Sequence, residues 1–192
     1  MKIYDISQEI FHSKVFPGDP IPKKDAVLSL EQGDPCNLTH LELGSHTGSH
    51  MDAPSHFLAG AKTIDTIDLE KCVGLCRVIT MEGTVDASDI RFALSDGIKR
   101  LLIRGEITIS QEAAQEMTSV PIDLIGVEGL TVGPLESPRD VHVALLEKEI
   151  VILEGLVLSK VPDGLYWLVA QPLKLGGIDG SPVRPLLLEY ER

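Results

Sequence analysis

The sequence predicts a single mixed α/β domain over residues 1–192, and three observations lead to it. Near-continuous apolar runs, as in strands buried on both faces, alternate with stretches of helical spacing in the middle of the chain. Strands of alternating pattern bracket that middle on both sides. The composition, 43% hydrophobic and 24% charged over 192 residues, is that of a globular chain long enough to bury a core without disulfides.

In order, "KIYDIS" alternates apolar and polar residues as a short strand does, and "FPGDPIP" is a proline- and glycine-punctuated turn. "AVLSL" and "NLTHLELG" read as two more strands of an antiparallel start, the second with Leu41 and Leu43 on one face. From Val73 the pattern changes. "VGLCRVIT" is a buried run, "ASDIRFALSD" has helical spacing, and "RLLIR" is again a strand. Ser110 is placed to cap a helix whose first turn carries Glu112, where the helix dipole favours an acid. "PIDLIGV" is the next strand. Ser137 as cap, Pro138 as first residue and Asp140 in the first turn open another helix, which runs into the buried strand "IVILEG". "GLYWLVAQPLKL" and "PLLLEY" supply the closing antiparallel strands.

Seventeen basic residues against twenty-nine acidic ones give a charge of −12, the wrong sign for gripping nucleic acid or an anionic membrane. The amino terminus carries Asp5 and Glu9 where a signal peptide needs an uninterrupted apolar stretch, and no run of eighteen apolar residues suggests a membrane span. Three cysteines, an odd number, point to reduced thiols and a cytoplasmic protein. Cys72 and Cys76 sit in an apolar run, as core residues do.

Most of the chemistry lies in one window, "HTGSHMDAPSH", from His46 to His56. It holds three of the six histidines and an aspartate, and neutral imidazoles with carboxylates are what zinc or manganese accepts. His46, His50 and Asp52 can supply three ligands. An extended chain would separate His46 from His50 by about 13 Å, too far for one ion, so the backbone must curl. Gly48 permits a turn, and Pro54 excludes a regular helix through Asp52, which leaves a short extended piece with His50 and Asp52 facing one side. His56 is either a fourth ligand or a free imidazole just outside the coordination sphere that moves protons. His12 and His40 read as ordinary residues.

Two more candidates lie downstream. Glu154 ends the apolar run "IVIL", where an unpaired carboxylate is costly to bury and calls for a cation, and His142 lies on the helix before it. An innocent reading, a carboxylate leaving the sheet and a histidine on a helix surface, stands equally for both. Glycines 176, 177 and 180 match neither a P-loop nor a dinucleotide fingerprint and read as a flexible loop, where Ser181 and Arg184 are candidates to touch substrate.

The run "HTGSHMDAPSHF" resembles the H-x-G-T-H-x-D-x-P-x-H-F signature of the cyclase family of metal-dependent hydrolases, which includes bacterial kynurenine formamidases and isatin hydrolase; Ser49 stands where the signature has threonine. "DISQEIFHSKVFPGDP" and the carboxy-terminal half with its "PLKL-x-G-x-DGSP-x-R" ending are similar to the same family. "EGLTVGPLESP" departs from it, standing where family formamidases carry an aspartate- and serine-rich turn. The resemblance implies a β-barrel-like sheet with flanking helices and a homodimer. It implies one or two Zn2+ or Mn2+ ions held by His46, His50, Asp52, His142 and Glu154, with Asp52 bridging, and His56 as catalytic acid and base.

The expected activity is hydrolysis of a small-molecule amide, a formamide or cyclic amide, by water that the metal activates. Lactone or ester hydrolysis at the same site is one alternative, and a metal-stabilised binding or regulatory domain without turnover is another. A cysteine nucleophile is a third, weakened because no cysteine stands beside a histidine in a recognisable pattern.

Overall fold

Four parallel strands, three of them buried along most of their length, form the centre of the structure, a computed structural model that describes residues 1–190. Along the chain the elements are β1 (Lys2–Asp5), β2 (Lys23–Leu28), β3 (Leu38–Glu42), β4 (His50–Asp52), β5 (Val73–Thr80), β6 (Gly83–Val85), α1 (Ala87–Ala93), β7 (Arg100–Arg104), β8 (Ile107–Ile109), α2 (Gln111–Met117), β9 (Leu124–Val127), α3 (Arg139–Glu147), β10 (Val151–Glu154), β11 (Gly164–Val169), β12 (Gly180–Pro182) and β13 (Leu186–Glu189). Nine strands join in the order β1-β13-β11-β5-β7-β9-β10-β4-β12. The sheet curls into a half-barrel, in line with the barrel-like sheet that the family resemblance implies.

Strands β5, β7, β9 and β10 pair in parallel, with one helix in each connection, because parallel neighbours need a crossover. Antiparallel strands extend this centre on both sides, β11, β13 and β1 beyond β5, and β4 and β12 beyond β10. The pleat sorts side chains onto two faces. Cys76, Val78, Leu102, Tyr166, Leu168 and Leu187 fill one cluster with Met51 and Leu153. Leu101, Ile103, Ile125 and Ile152 pack on the other face against the three helices through Ile90, Met117, Leu145 and others. Cys72 and Cys76 are core residues, and burial pushes their thiols up to about 11 and about 12, which removes them as nucleophiles at neutral pH.

Local signals account for the helix starts. Asp86 accepts from the backbone of Ser88 and Asp89, and Asp89 returns a bond to the Asp86 N–H, a capping box. The Ser110 hydroxyl accepts from the Ala113 N–H as expected. The third helix differs from the expectation: it begins at Arg139, Pro138 is its cap, and no side chain caps it. Ser137 belongs to the preceding turn, where its N–H bonds to the Pro134 carbonyl.

Three further differences are topological. β2 and β3 do pair antiparallel, but as a separate hairpin outside the large sheet, and β1 pairs with β13 from the far end of the chain. "GTV" and "ITI" form a small parallel pair, β6 with β8, that alternation over three residues is too short to announce. The glycine-rich segment read as a flexible loop ends in a strand: β12 pairs with β4, so Gly180 to Pro182 belong to the sheet.

Candidate metal centre

β4 lies between β10 and β12, and this placement builds the site. His50 and Asp52 share one face of the strand while Met51 turns into the core. His50 lies directly across from Glu154 on β10. The curl predicted before β4 is present, with Gly48 at φ +67, a conformation that favours glycine. Ser49 ties this turn to the end of β10: its hydroxyl donates to the Gly155 carbonyl (2.6 Å) and accepts the Gln8 N–H (2.9 Å). Serine in place of threonine therefore keeps the anchoring hydroxyl.

Six side chains converge. His50 Nε2 is 3.2 Å from Glu154 Oε2 and 3.6 Å from Asp52 Oδ1. His142, brought by α3, places Nε2 3.2 Å from Glu154 Oε1 and 3.4 Å from Asp52 Oδ2. His46 Nδ1 is 2.9 Å from Asp52 Oδ1. The His56 ring, on the turn after Pro54, stacks at a tilt on His46 with centroids 4.0 Å apart. Each innocent reading of Glu154 and His142 fails on burial, since they are only 3% and 2% exposed. His12 and His40 are exposed and lie outside the cluster.

Backbone carbonyls orient two of the imidazoles. His50 Nδ1–H donates to the Gly48 carbonyl (3.0 Å) and His142 Nδ1–H to the Pro138 carbonyl (2.8 Å), so in the neutral rings both Nε2 lone pairs turn towards carboxylate oxygens. Lone pairs facing carboxylates need a cation between them. The buried Oδ2 of Asp52 makes no hydrogen bond. One donor atom from each of His50, Asp52 and Glu154, and likewise from His46, Asp52 and His56, lies within 4.8 Å of the others in its group. Two groups sharing Asp52 fit divalent cations, and imidazoles with carboxylates are a donor set for such ions.

Without metal, protons take the cation's place. Burial disfavours charge on His142 and His46, but the carboxylates facing them, Asp52 with Glu154 and Asp52 with Asp179, outweigh it and push the two up to about 10 and about 9. Burial opposes ionisation of Asp52 too, yet His142 and His46 hold its carboxyl well below the usual range. His56 goes the other way: burial, reinforced by the charges of His46 and His142, holds it below its ordinary 6.5 against the pull of Asp52. The raised histidine values fix a sign. Their contribution to stability is complete below pH 6.5 and is lost as pH rises through 9 to 10. Chelated protein is therefore expected to melt at progressively lower temperature between pH 6.5 and 10, and a melting temperature that holds or rises across that range would show that these imidazoles carry no such charge.

Above the cluster opens a cavity of about 190 Å³, with His46, His50, His56, His142 and Glu154 at its base. Phe16, Phe57, Leu130 and Pro138 give it apolar walls, and Asp19 and Thr131 add polar edges. None of these six was read from sequence as a pocket residue, because they come from three separate segments. Leu130 and Thr131 belong to "EGLTVGPLESP", whose next N–H, that of Val132, donates to Glu154 Oε1 (2.7 Å). This departing turn thus shapes the pocket and holds a site carboxylate. The two remaining candidates are not brought to the cavity. Ser181 is fully buried with its hydroxyl bound to backbone at Leu173 and Pro182, and Arg184 pairs with Asp5 at the surface. Asp179, which sequence reasoning passed over inside "DGSP", lies 2.8 Å from His46 Nε2 and 3.4 Å from His56 Nδ1.

The chain is 38% identical to a kynurenine formamidase of Polaromonas naphthalenivorans (strain CJ2), over 98% of this chain and 92% of the relative. Its fold superposes on the structure of a potential metal-dependent hydrolase with cyclase activity at a TM-score of 0.82 and 27% identity, covering 100% of this chain and 99% of the other. An isatin hydrolase bound to a product analogue shares the fold at a TM-score of 0.84 and 20% identity, covering 99% and 93%. The Cyclase family model matches residues 4–133, which contain the whole His46 to His56 window. The buried His, Asp and Glu cluster thus sits in a chain that belongs to the Cyclase family.

Proposed function

We propose that this protein hydrolyses a small-molecule formamide of the arylformamidase kind, with residues 1–192 forming one metal-dependent amide hydrolase domain. The observation that carries the reading is Asp52, enclosed and with one carboxylate oxygen unbonded, where His46, His50, His142 and Glu154 meet beneath a cavity. His46, His50, Asp52, His142 and Glu154 would hold one or two such ions, zinc or manganese, with Asp52 common to both groups of donor atoms. Such an ion supplies Lewis acidity and makes water a nucleophile at neutral pH.

The chain's own groups do the rest. His56, uncharged near neutrality, accepts a proton as water attacks and returns it to the leaving nitrogen. Phe16, Phe57, Leu130 and Pro138 bury the flat apolar part of a substrate and exclude water, which strengthens every charge interaction at the base. The kynurenine formamidase relative supports an aryl formamide as that substrate. No helix among the described residues is long and apolar enough to cross a membrane. The reduced cysteines support a cytoplasmic protein.

A homodimer belongs to the same proposal. In β2 and β3 every residue except Leu28 is exposed, including Val27, Leu38 and Leu41, and a two-stranded hairpin is marginal in water unless something packs on it. A second copy of the chain is the proposed cover.

The test is turnover of N-formylkynurenine by stripped protein reconstituted separately with zinc and with manganese, on a preparation whose mass is measured by sedimentation equilibrium. Metal-restored hydrolysis by a dimer is expected. Metal-loaded protein that leaves the formamide intact would refute the substrate assignment; cleavage of lactones or cyclic amides instead would redirect it, and a single-chain mass would refute the dimer.

A further inference from the structure

Asp179 lies just before β12 and outside the six residues assigned to metal and proton transfer, yet it faces two of them. Its Oδ2 is 2.8 Å from His46 Nε2 and 3.4 Å from His56 Nδ1, while Oδ1 accepts the Ser45 hydroxyl at 3.1 Å. The backbone is held as firmly as the side chain. The Asp179 carbonyl accepts the Ala53 N–H (2.9 Å), and the next residue, Gly180, pairs with Asp52. A Cβ on Gly180 would stand 2.7 Å from His46 Cε1, so only glycine lets the His46 ring lie this close to the β12 backbone.

We propose that Asp179 is a positioning residue that sets the tautomers of both histidines, its Oδ2 accepting Nε2–H from His46 and Nδ1–H from His56. A carboxylate oxygen can accept both bonds. The consequence for His46 is that Nδ1 presents a lone pair beside Asp52, the arrangement of a carboxylate, histidine and metal in series. For His56 it is that Nε2 is left free to take a proton. The Nδ1–H form is the minor tautomer of a free imidazole side chain, so it needs an acceptor such as Asp179 to dominate. At 3.4 Å this contact is long for a hydrogen bond, and catalytic hydrogen bonds of this kind often tighten only once substrate is bound.

This inference rests on His46 and His56 having the roles proposed above, and its test separates the two. The full-length zinc-loaded protein, labelled with 15N, reports the tautomer of each histidine through two-bond proton–nitrogen correlations. In Asp179→Asn the Ser45 hydroxyl retains the amide oxygen, and the amide N–H turns to the rings and favours the opposite tautomers. His56 is expected to shift from Nδ1–H to Nε2–H, zinc affinity to fall about 10- to 100-fold, and kcat to fall at least about tenfold at saturating zinc with KM little changed. In a His56→Ala background the same substitution should cost no further kcat. Asp179→Ser, which removes the carboxylate from a partly exposed position, serves as the second variant if the first does not fold.

Both tautomers unchanged in the variants would overturn the proposal, whatever the activity. Shifted tautomers in a protein whose His56→Ala variant stays fully active would uphold the positioning and overturn instead the proton-carrying role of His56.

Discussion

Asp52→Asn is expected to lose at least one equivalent of bound metal and to drop turnover by about three decades. The substitution is nearly isosteric, so the strand pairing of β4 with β10 and β12 should survive. What changes is charge. Asp52 reaches both halves of the cluster, through Oδ1 to His46 and His50 and through Oδ2 to His142. An amide has one weaker acceptor oxygen, and its N–H2 would face imidazole lone pairs. Metal catalysis contributes several kcal/mol of transition-state stabilisation, and about 4 kcal/mol corresponds to about 10³ in rate. Elemental analysis of the purified variant beside its kcat checks the prediction. Full metal content would show that Asp52 is not a ligand, and full activity would remove it from the chemistry.

His56→Ala is expected to cost about 10²- to 10⁴-fold in kcat, the range for a general acid–base group, while metal content stays at the wild-type level. The two quantities separate because of where His56 sits. It stacks on His46 and lines the cavity, but its Nδ1 faces Asp179, and it is more open to solvent than His50 or His142. Burial holds it below its ordinary value, so it is uncharged and ready to accept a proton at neutral pH. Loss of metal together with activity would make His56 a ligand of the group containing His46 and Asp52, and the proton carrier would have to be sought elsewhere. Retained activity with retained metal would leave it no role in the reaction.

The two variants also test the relation between window and site. "HTGSHMDAPSH" announces metal chemistry because no other window concentrates imidazoles and a carboxylate so densely, and period-two alternation puts His50 and Asp52 on one face. Glu154 is legible for a related reason: a carboxylate closing a run of buried apolar residues is a charge in need of a partner. Ser181 and Arg184 show the limit. Local sequence places them beside a glycine-rich turn, and only the tertiary structure decides that Ser181 is buried in β12 against β4 while Arg184, just past the strand, is exposed and paired with Asp5.

What the sequence determined by itself is therefore local: strand and helix periods, the Ser110 cap, and which side chains carry ligand atoms. The tertiary structure alone decided the rest. Antiparallel insertion of β4 beside β10 sets His50 against Glu154, α3 delivers His142 across more than eighty residues of sequence, and β12 brings Asp179 to His46 and His56. The physical reason is range. Periodicity and capping act over a few residues, whereas a cluster of imidazoles and carboxylates is assembled by strand neighbours that are distant in the chain, and no short-range pattern records which strands those are.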